Sequence, residues 1–380
     1  MLRKIILLSA GIIAAAIVLM LVLINRELDE MEIDTNNIIA NTEAEEQPSS
    51  GQPQAAAQEK GGEEKPEDFY VLVIGLDIRE NLFLLNTDSL IVAHVIPQNH
   101  TVRLLSIPRD QRVVKSDGKN AKVNSIFAEG YNHAVQEARK NPDLLSGKMV
   151  TIGGRKMHEE YVSSGIAALR NTIERFLDIS IEYSFIVNFQ TLVELVDAVG
   201  GLEIDVDREM HYTTVNEGSI HLQKGLQLLS GEDVLGYVRH RMDDRGEAYW
   251  SSDFDRGRRQ QQVITLLAEK IASWNNIGKT LDLLDIVTSN VKTDMKRLKM
   301  ISLIRSFYGV AGGESIISIP YPGVWKSPYV ELDDVQKAIM LRDFKTVELS
   351  ADSRTGGNSG EKEGERIDSN DRGLSAPAPS

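Results

Sequence analysis

The chain has 380 residues, of which 42% are hydrophobic and 26% charged, a composition typical of a globular protein with one or two domains. Its 42 basic and 56 acidic residues give a net charge of −14, which disfavours general binding to the phosphate backbone of nucleic acid. No cysteine is present, so disulfides, thiol catalysis and cysteine-ligated metal sites are excluded.

The first predicted element is a membrane anchor at residues 5–24, an uncharged run rich in Ile, Leu, Val and Ala. As a helix this run is about 30 Å long, the thickness of the hydrocarbon core of a bilayer. Arg3 and Lys4 precede it and acidic residues follow, so the positive-inside rule places residues 1–4 in the cytoplasm and the rest of the chain outside. A cleaved signal peptide is the alternative, although its apolar region usually has about 7–15 residues. A buried core helix is a more remote one.

Two segments are predicted to be disordered. Residues 25–68 contain 13 acidic and 3 basic residues with almost no aromatic side chains, which is typical of a flexible acidic tether. Residues 350–380 form a similar tail with 6 acidic and 4 basic residues. Arg3 and Lys4, which add +2, also lie outside the predicted folded domain, so residues 69–349 carry a net charge of only −4. An anionic ligand at one local site remains compatible with the chain.

The folded part alternates strand-like and helix-like segments. Apolar runs predict strands at 69–75, 89–96, 101–107, 183–189, 202–206 and 316–320. Helical spacing predicts helices at 125–140, 163–177, 191–199, 231–239 and 254–273. This alternation indicates a single α/β domain of three layers (α/β/α) around a central mixed sheet.

Charged residues follow or precede the predicted strands. Asp77 and Arg79 come after the first strand, Asp88 stands immediately before the second, and Arg109 and Asp110 follow the third. Strand ends at the edge of an α/β sheet commonly bind ligands, and paired carboxylates without histidine suit a hard cation such as Mg²⁺. The alternative is that the aspartates form structural salt bridges with Arg79 and Arg109.

A second charged cluster lies towards the C-terminal half. Arg239 and Arg241 alternate around a histidine, so an extended segment would direct both into one cleft. Arg256 and Gln260 lie one turn apart on a predicted helix, just after Asp255. The fork of guanidinium donors matches phosphate oxygens, which indicates an anionic-ligand site. A solvated basic helix face is the alternative.

In these and several further motifs the chain resembles the LytR-CpsA-Psr family, the membrane-anchored phosphotransferases that attach lipid-carried glycopolymers to peptidoglycan. The resemblance covers most of residues 69–270 in the family's order. It is carried by VLVIGLDIR (71–79), TDSLIVAHV (87–95), LLSIPRDQRV (104–113), AKVNSIFAEG (121–130), IEYSFIVNFQTLVELVDAVGGLEIDV (181–206), LQKGLQLLSGEDVLGYVRHR (222–241) and DFDRGRRQQQVI (253–264).

The resemblance implies an α/β/α domain that holds a polyprenyl pyrophosphate in an apolar pocket. It implies Asp77 and Asp88 as ligands of Mg²⁺, with Mn²⁺ as a substitute, and Arg109, Arg239, Arg241 and Gln260 as pyrophosphate-binding residues. Arg79 and Arg256 also fall on family positions that bind the substrate, and Asp110 and Asp255 on supporting ones. Asp77, Arg109, Arg239 and Arg241 are the implied catalytic residues.

The same resemblance implies the partners and the location. The partners are a lipid-linked glycopolymer such as teichoic acid or capsule, a peptidoglycan acceptor, and membrane lipid through the anchor, with no nucleic acid. The protein is expected in the cell membrane of a Gram-positive type envelope. Hydrolysis of the lipid pyrophosphate and a non-catalytic envelope sensor or transcription attenuator are the alternative functions.

Two departures from the family pattern concern the substrate. Asn86 stands where the family commonly has arginine, so it can hydrogen-bond a phosphate oxygen but adds no charge; Lys115 is one cation that would compensate. Residues 242–252 form a long insertion between Arg241 and Asp255. The insertion is interpreted as a lid, as an acceptor-contacting loop, or as an inert surface loop.

Overall fold

The computed structural model describes residues 33, 67–76, 78, 85–214, 218–272, 286–287, 290–296, 298–300, 302–303 and 316–347. The predicted anchor at 5–24, the tail at 350–380 and all of the predicted tether except Ile33, Glu67 and Asp68 lie outside these residues. Among the helices described here, none combines the length and the apolar character needed to cross a bilayer.

A mixed sheet of six strands forms the centre of the domain. Its strands are β1 (Phe69–Leu76), β2 (Thr87–Ile96), β3 (Thr101–Ser106), β8 (Ile181–Asn188), β13 (Val291–Thr293) and β14 (Ile316–Ile319). They lie in the order β13-β8-β1-β2-β3-β14. The pairs β1–β8 and β3–β14 are parallel, and the other three are antiparallel. The central mixed sheet of the predicted α/β fold is therefore confirmed.

Six described helices surround or flank the sheet. They are α1 (Ile126–Lys140), α2 (Glu159–Leu177), α3 (Phe189–Ala198), α4 (Gly231–Arg239), α5 (Asp253–Ala272) and α6 (Asp334–Lys345). Short 3-10 helices lie at Pro97–Asn99, Val123–Ser125, Pro142–Leu144 and Glu247–Tyr249.

Five two-stranded sheets make up the remaining regular structure. They pair β4 (Arg112–Val114) with β5 (Asn120–Lys122), β6 (Met149–Ile152) with β7 (Arg155–His158), β9 (Leu202–Val206) with β12 (Gly225–Leu229), β10 (Met210–Thr214) with β11 (Gly218–Leu222), and β15 (Val324–Lys326) with β16 (Tyr329–Glu331).

Both faces of the central sheet are buried. Leu72, Ile74 and Val92 of one face pack with α1, α2 and α6, whereas Val71 and Ile91 of the opposite face pack with a second cluster, which includes Ile264 of α5. Successive strand residues point to opposite faces, so strands covered on both sides read as continuous apolar runs. A third cluster joins α3, α4 and β9–β12. Helical layers on both faces leave the edges of the sheet as the places for a site.

Several predicted boundaries differ from the observed ones for local reasons. Helix α2 begins at Glu159 rather than 163, because acidic residues in the first turn interact favourably with the helix dipole and Glu159 pairs with Lys148 at 2.9 Å. Strand β8 ends at Asn188 rather than 189. The Asn188 side chain accepts a hydrogen bond from the backbone N–H of Gln190, so the residue caps α3.

Ile33 belongs to the folded domain although it falls in the predicted tether. Its side chain is 1% exposed in the main core cluster, and its N–H donates to the carbonyl oxygen of Thr293 in β13 at 2.7 Å. An acidic composition predicts disorder for the segment as a whole and does not reveal one apolar residue that docks. Part of residues 25–68 is therefore fixed to the edge strand β13.

Candidate active site

Four strand ends meet at one edge of the central sheet. Leu76, the last residue of β1, is paired with Thr87 at the start of β2 and with Asn188 at the end of β8. Ser106, the last residue of β3, is paired with Ile91 of β2. The chain segments that enter and leave these strands therefore lie side by side, as expected for the ligand-binding edge of an α/β sheet.

A pocket of about 280 Å³ opens at this edge between β2, β3, β14 and the first half of α5. Its charged and amide lining comes from Asp88, Arg109, Asp253, Arg256, Arg258, Gln260 and Gln261. The remaining wall is largely apolar and includes Leu90, Ile107, Phe254, Ile319 and Tyr321. The pocket thus combines a polar end with a hydrophobic wall, as sites for amphipathic ligands do.

Arg109 lies between two aspartates of this pocket. Its NH1 atom is 3.6 Å from Oδ1 of Asp88, and its Nε atom is 3.8 Å from Oδ2 of Asp253. At these separations Arg109 forms ion pairs with both aspartates, but the atoms are too far apart for hydrogen bonds. The Nε atom is buried and has no hydrogen-bond partner among the described residues. The predicted alternative of an Asp88–Arg109 salt bridge is therefore present, yet it leaves donors of Arg109 for a ligand.

Arg256 provides a second guanidinium in the same pocket. It is almost fully buried; its NH1 donates to Oδ1 of Asp253 at 3.2 Å and its NH2 to the carbonyl oxygen of Asp88 at 3.5 Å. Burial lowers the pKa of Arg256 below its usual range and Arg109 lowers it further, while Asp253 and Asp88 oppose the shift. Its Nε atom is also buried without a hydrogen-bond partner among the described residues. An unmatched buried donor is costly, so an anion placed here would be stabilised.

Arg256 and Gln260 both lie on helix α5, whose N-terminus is fixed by a cap. The Oγ atom of Ser252 accepts from the N–H of Asp255 at 3.1 Å, and Oδ2 of Asp255 accepts from the N–H of Ser252 at 2.9 Å. This reciprocal pair is a capping box. The role found for Asp255 is therefore to fix the start of α5 at Asp253, three residues before Arg256.

The same helix lies close to strand β3. The Ser106 hydroxyl donates to the carbonyl oxygen of Gly257 at 3.4 Å, and the Gln261 amide donates to that of Leu104 at 3.2 Å. One turn further, Oε1 of Gln260 accepts from the Ser89 hydroxyl at 3.0 Å. That bond uses the amide oxygen, so the amide N–H groups of Gln260 are its donors for a ligand.

The structure places Arg239 and Arg241 differently from the pocket arginines. The segment around them is not a strand: Arg239 is the last residue of α4, and Arg241 is exposed in the following loop. Arg239 lies 5.0 Å above the ring of Phe189, the residue that follows β8, and lines a separate hollow with Tyr212 and Glu232. The extended geometry that would aim both side chains into one cleft is therefore wrong.

A buried network that the sequence did not reveal holds His240 and the loop that follows Arg241. The His240 ring contacts the Ser251 hydroxyl at 2.9 Å through Nδ1 and Oδ2 of Asp243 at 3.3 Å through Nε2. Arg245 binds Asp243 with two bonds, at 2.8 and 2.9 Å, and Arg259 donates to Ser251 at 3.0 Å. Burial and Arg259 lower the pKa of His240, which Asp243 opposes. These contacts pin both ends of the 242–252 insertion.

The Ser251–His240–Asp243 chain is a structural element and not a hydrolase triad. All three side chains are buried, so the hydroxyl has no access to a substrate. No local sequence pattern predicts these contacts, because Ser251 and His240 are separated by an irregular loop and meet only in the folded chain.

The remaining predicted residues have separate positions. Asp110 is buried and pairs with Lys122 at 2.8 Å, a structural role. Lys115 pairs with Glu129 at 3.0 Å and lines another hollow, so it does not compensate in this pocket for the missing arginine. Asn86 lies just ahead of β2, outside the pocket lining. Asp77 and Arg79 lie outside the described residues, immediately after the strand end at Leu76.

The donor chemistry of the site is compatible with Mg²⁺. Asp88 presents a carboxylate to the pocket, and Mg²⁺ commonly binds one or two carboxylates together with phosphate oxygens and water. Across the described part of the chain no group of three or more His, Asp or Glu side chains is placed to hold a metal. A complete protein-only cage is therefore not found in that part of the chain.

The fold and the site define an α/β protein with an arginine-lined, half-apolar pocket at one edge of a mixed sheet. The chain belongs to the LytR_cpsA_psr family, whose model matches residues 32–341. The match begins one residue before the docked Ile33, so the family relationship extends beyond the residues 69–270 on which the resemblance rested.

Relatives and solved structures agree with this assignment. The chain is 29% identical to the polyisoprenyl-teichoic acid–peptidoglycan teichoic acid transferase TagU of Halalkalibacterium halodurans, over 64% of this chain and 67% of the relative. It is 28% identical to TagU of Bacillus cereus strain ATCC 14579, over 70% of this chain and 74% of the relative. The crystal structure of Bacillus subtilis TagV superposes with a TM-score of 0.53 at 25% identity, covering 74% of this chain and 97% of that chain. TagT bound to LI-WTA gives a TM-score of 0.51 at 22% identity, over 76% and 93%, and shares the fold.

Proposed function

We propose that this protein is a phosphotransferase that moves an anionic glycopolymer from a polyprenyl-pyrophosphate carrier to a hydroxyl of a peptidoglycan sugar. The names of the related TagU proteins favour a teichoic acid as the polymer. The pocket at the sheet edge is the proposed donor site. Its polar end would bind the pyrophosphate, and its apolar wall would contact the first part of the lipid.

The single observation that carries the proposal is the pair of guanidiniums of Arg109, which is half-buried, and Arg256, which is almost fully buried. Arg109 and Arg256 each retain an Nε–H without a hydrogen-bond partner among the described residues, on either side of Asp253. Aspartates at ion-pair distance hold the two cations together despite their mutual repulsion. A pyrophosphate would satisfy the unmatched donors with charge-assisted hydrogen bonds.

The proposed chemistry is an in-line displacement at phosphorus. The acceptor hydroxyl gives its proton to Asp77 while its oxygen forms a bond to the phosphorus next to the polymer. The bond from that phosphorus to the bridging oxygen breaks, and polyprenyl phosphate leaves. Arg109 and Arg256 stabilise the charge that grows on the phosphate oxygens, and Gln260 donates to one of them. Arg79, Asn86, Arg239 and Arg241 remain proposed donors to the polymer-side phosphate, although Asn86, Arg239 and Arg241 lie outside the lining of the described pocket and would have to reach it when the donor is bound. Asp77 is the proposed group that orients the acceptor hydroxyl.

We further propose Mg²⁺, replaceable by Mn²⁺, as the cofactor, with Asp77 and Asp88 as its ligands. When bound, the ion supplies charge neutralisation at the pyrophosphate. The residues of the chain align and desolvate the donor whether or not the ion is present, since α5 and β3 fix Arg256 and Gln260 through capping and backbone contacts.

The proposed location is the outer face of the cell membrane. Residues 5–24 would be a single-pass anchor with a cytoplasmic N-terminus, which places the catalytic domain on the side where peptidoglycan and lipid-linked polymers meet. This proposal rests on the length of the apolar run and on the asymmetry of the flanking charges.

Turnover of the reconstituted full chain tests the function. The donor is a purified polyprenyl-pyrophosphate-linked polymer and the acceptor is peptidoglycan, with wall-linked product and released polyprenyl phosphate both measured. Arg109→Lys and Arg256→Lys should each lower turnover about 10²- to 10³-fold, because lysine lacks the fork of donors. Arg342→Lys, on the far surface of α6, should leave turnover unchanged.

The products distinguish the remaining possibilities. Polyprenyl phosphate release with free polymer and no wall-linked product would mean that the protein is a hydrolase. Donor binding without any turnover would mean that it is a sensor. Full turnover by both pocket variants would refute the assignment of the pocket. For the cofactor, Asp88→Asn should abolish the response of turnover to added Mg²⁺; an unchanged response to chelator would refute the proposed ion site.

A further inference from the structure

A second hollow, larger than the donor pocket, lies between the β4–β5 hairpin, α2 and α6. Its volume is about 670 Å³, and its lining includes Lys115, Arg175 and Lys337. Phe176 forms part of the wall, and the Nζ atom of Lys337 lies 4.8 Å from the centre of its ring. Among the described residues that line this hollow there is no aspartate or glutamate. We call it the basic hollow, and its chemistry is that of an anion-binding site.

Two of these three cations have no counter-charge in the described part of the chain. Lys115 is neutralised by Glu129, whose carboxylate is 3.0 Å from its ammonium, and lies 3.9 Å from Asp117. Neither Arg175 nor Lys337 forms an ion pair with a described residue. The basic hollow therefore has two positive charges that its surroundings do not balance, although residues 69–349 as a whole are acidic.

The size of the basic hollow suits a chain-like anion better than a small one. Its volume is more than twice that of the donor pocket, so a single phosphate would leave most of it unfilled. The cations come from three separate elements, with Lys115 after β4, Arg175 in the last turn of α2 and Lys337 in α6. A ligand that carries several phosphates in a row can contact more than one of these elements at once.

Strand β4 connects the donor pocket with the basic hollow. Arg109 lines the pocket, and Val114, the last residue of β4, lines the hollow. The two residues are five positions apart in the chain, so their Cα atoms are at most about 18 Å apart. The segment between them is fixed to the pocket wall, because the hydroxyl of Tyr321 donates to Oε1 of Gln111 at 2.7 Å. A chain-like ligand that begins at the pocket therefore has a short way to the hollow.

We propose that the basic hollow binds the phosphodiester backbone of the anionic glycopolymer, beyond the pyrophosphate in the donor pocket. Arg175 and Lys337 pair with phosphates of the polymer, and Phe176 contacts the carbon atoms of a repeating unit. The identity of the polymer rests on the proposed function, whereas the anion-binding character of the hollow does not. A donor held at two sites gains affinity from the high effective concentration at the second, so long polymers should bind more tightly than short ones.

Binding of a fluorescent, lipid-free oligomer of glycerol phosphate tests the basic hollow. The full chain is held in phosphatidylcholine nanodiscs, and anisotropy is measured at low and high salt. Arg175→Gln with Lys337→Gln should raise the dissociation constant about tenfold at low salt and reduce its salt dependence. Arg139→Gln with Lys140→Gln removes the same charge from the last turn of α1, outside the hollow, and should change it less than about twofold. Equal effects of the two pairs, or no binding by the natural chain, would overturn the proposal.

A charge-conserving exchange controls for damage to the fold. Arg175→Lys with Lys337→Arg keeps both charges in the hollow, so the dissociation constant should stay within about threefold of that of the natural chain. A loss of binding as large as that of the glutamine pair would show that the charges are not the cause, and would refute the proposed contacts.

Competing ligands identify the chemical class of the occupant. Inorganic phosphate, a soluble short-chain phosphatidylglycerol and an oligomer of glutamate are each titrated against the bound fluorescent oligomer. Each should displace it more weakly than the unlabelled glycerol phosphate oligomer does. Equal displacement by phosphate would mean a site for a single anion, by phosphatidylglycerol a site for a lipid headgroup, and by the glutamate oligomer a site for an acidic peptide; each of these results would overturn the polymer assignment.

Transfer by the same chains separates this inference from the proposed function. With a donor that carries a long polymer, the glutamine pair at 175 and 337 should raise KM about fivefold and leave kcat unchanged, whereas a donor with a single repeating unit should not respond. Unchanged oligomer binding by this pair, in a chain that still transfers polymer, would refute the basic hollow alone. Oligomer binding that the pair abolishes, in a chain that transfers nothing, would refute the proposed function and support the hollow as an anion site.

Discussion

Gly257 offers a test of how closely α5 must approach β3. A Cβ atom added at Gly257 would lie 3.1 Å from Cβ and 3.7 Å from Oγ of Ser106. The first distance is shorter than ordinary carbon contacts, so either α5 or β3 has to move by a few tenths of an ångström. Because Arg256 and Gln260 flank this glycine, the movement would displace both donors from the pocket.

The magnitude of Gly257→Ala follows from two opposing effects. Alanine is favoured over glycine in a helix by about 1 kcal/mol, whereas overpacking typically costs about 1–3 kcal/mol. We therefore expect unfolding free energy to fall by up to about 2 kcal/mol in the otherwise natural chain. In the Ser106→Gly background the colliding Cβ atom is gone, and the same change should stabilise by about 1 kcal/mol.

A double-mutant cycle measures this coupling. Urea unfolding of the four chains, with polymer transfer measured on each, gives the interaction term between positions 106 and 257. We expect a coupling of about 1–3 kcal/mol and partial recovery of turnover in the double variant. Identical effects of Gly257→Ala in both backgrounds would show that the close approach does not control the pocket.

Three further predictions concern stability. The pKa of His240 is lower in the folded protein than its unfolded value near 6.5, so its contribution to stability is complete above pH 6.5 and is lost as the pH falls. His240→Gln should therefore reduce the decline of the melting temperature between pH 7 and pH 5. Profiles of the variant and the natural chain that run parallel over this range would contradict the prediction. Ser252→Ala should cost about 1 kcal/mol of unfolding free energy and lower turnover through loss of the α5 cap, with Ser252→Asp restoring both; an unaffected helix start would argue against the cap. Arg170→Leu removes the ion pair between Arg170 and the buried carboxylate of Asp294 and should cost about 3–5 kcal/mol, whereas replacing both partners by apolar residues should cost less; equal losses would show that the pair itself is not the cause.

The sequence predicted best those elements whose limits are marked by local signals. Strand β9 and helix α4 have the predicted bounds, because Gly200 and Gly201 precede the strand with positive φ and Ser230 caps the helix with Asp233. Strands β4 to β7, of three or four residues each, were not predicted since so short a run has no measurable period, whereas β14, of similar length, was predicted because a proline bounds its apolar run. Their existence depends on a partner strand that only the folded chain supplies.

The candidate site divides in the same way. Asp88 and Arg109 are brought together because they adjoin antiparallel strand ends, and Arg256 and Gln260 because they share a helix face; both relations are readable from the chain. Asp253 received no predicted role, although it contacts both pocket arginines. Its importance comes from the angle at which α5 crosses the sheet, which no local pattern records.

The edge strand β14 has a consequence for the order in which the protein is made. It supplies Ile319 and the adjoining Tyr321 to the pocket, yet it pairs with β3, more than 200 residues earlier in the chain. Contacts of such long sequence separation form late, because the entropy of closing the loop has to be overcome first. If the chain is exported from its N-terminus, Arg109 and Asp88 reach the outside long before their wall exists. In such an exported chain the pocket would form only after β14 has emerged, so the proposed lipid-linked donor could not be captured before then.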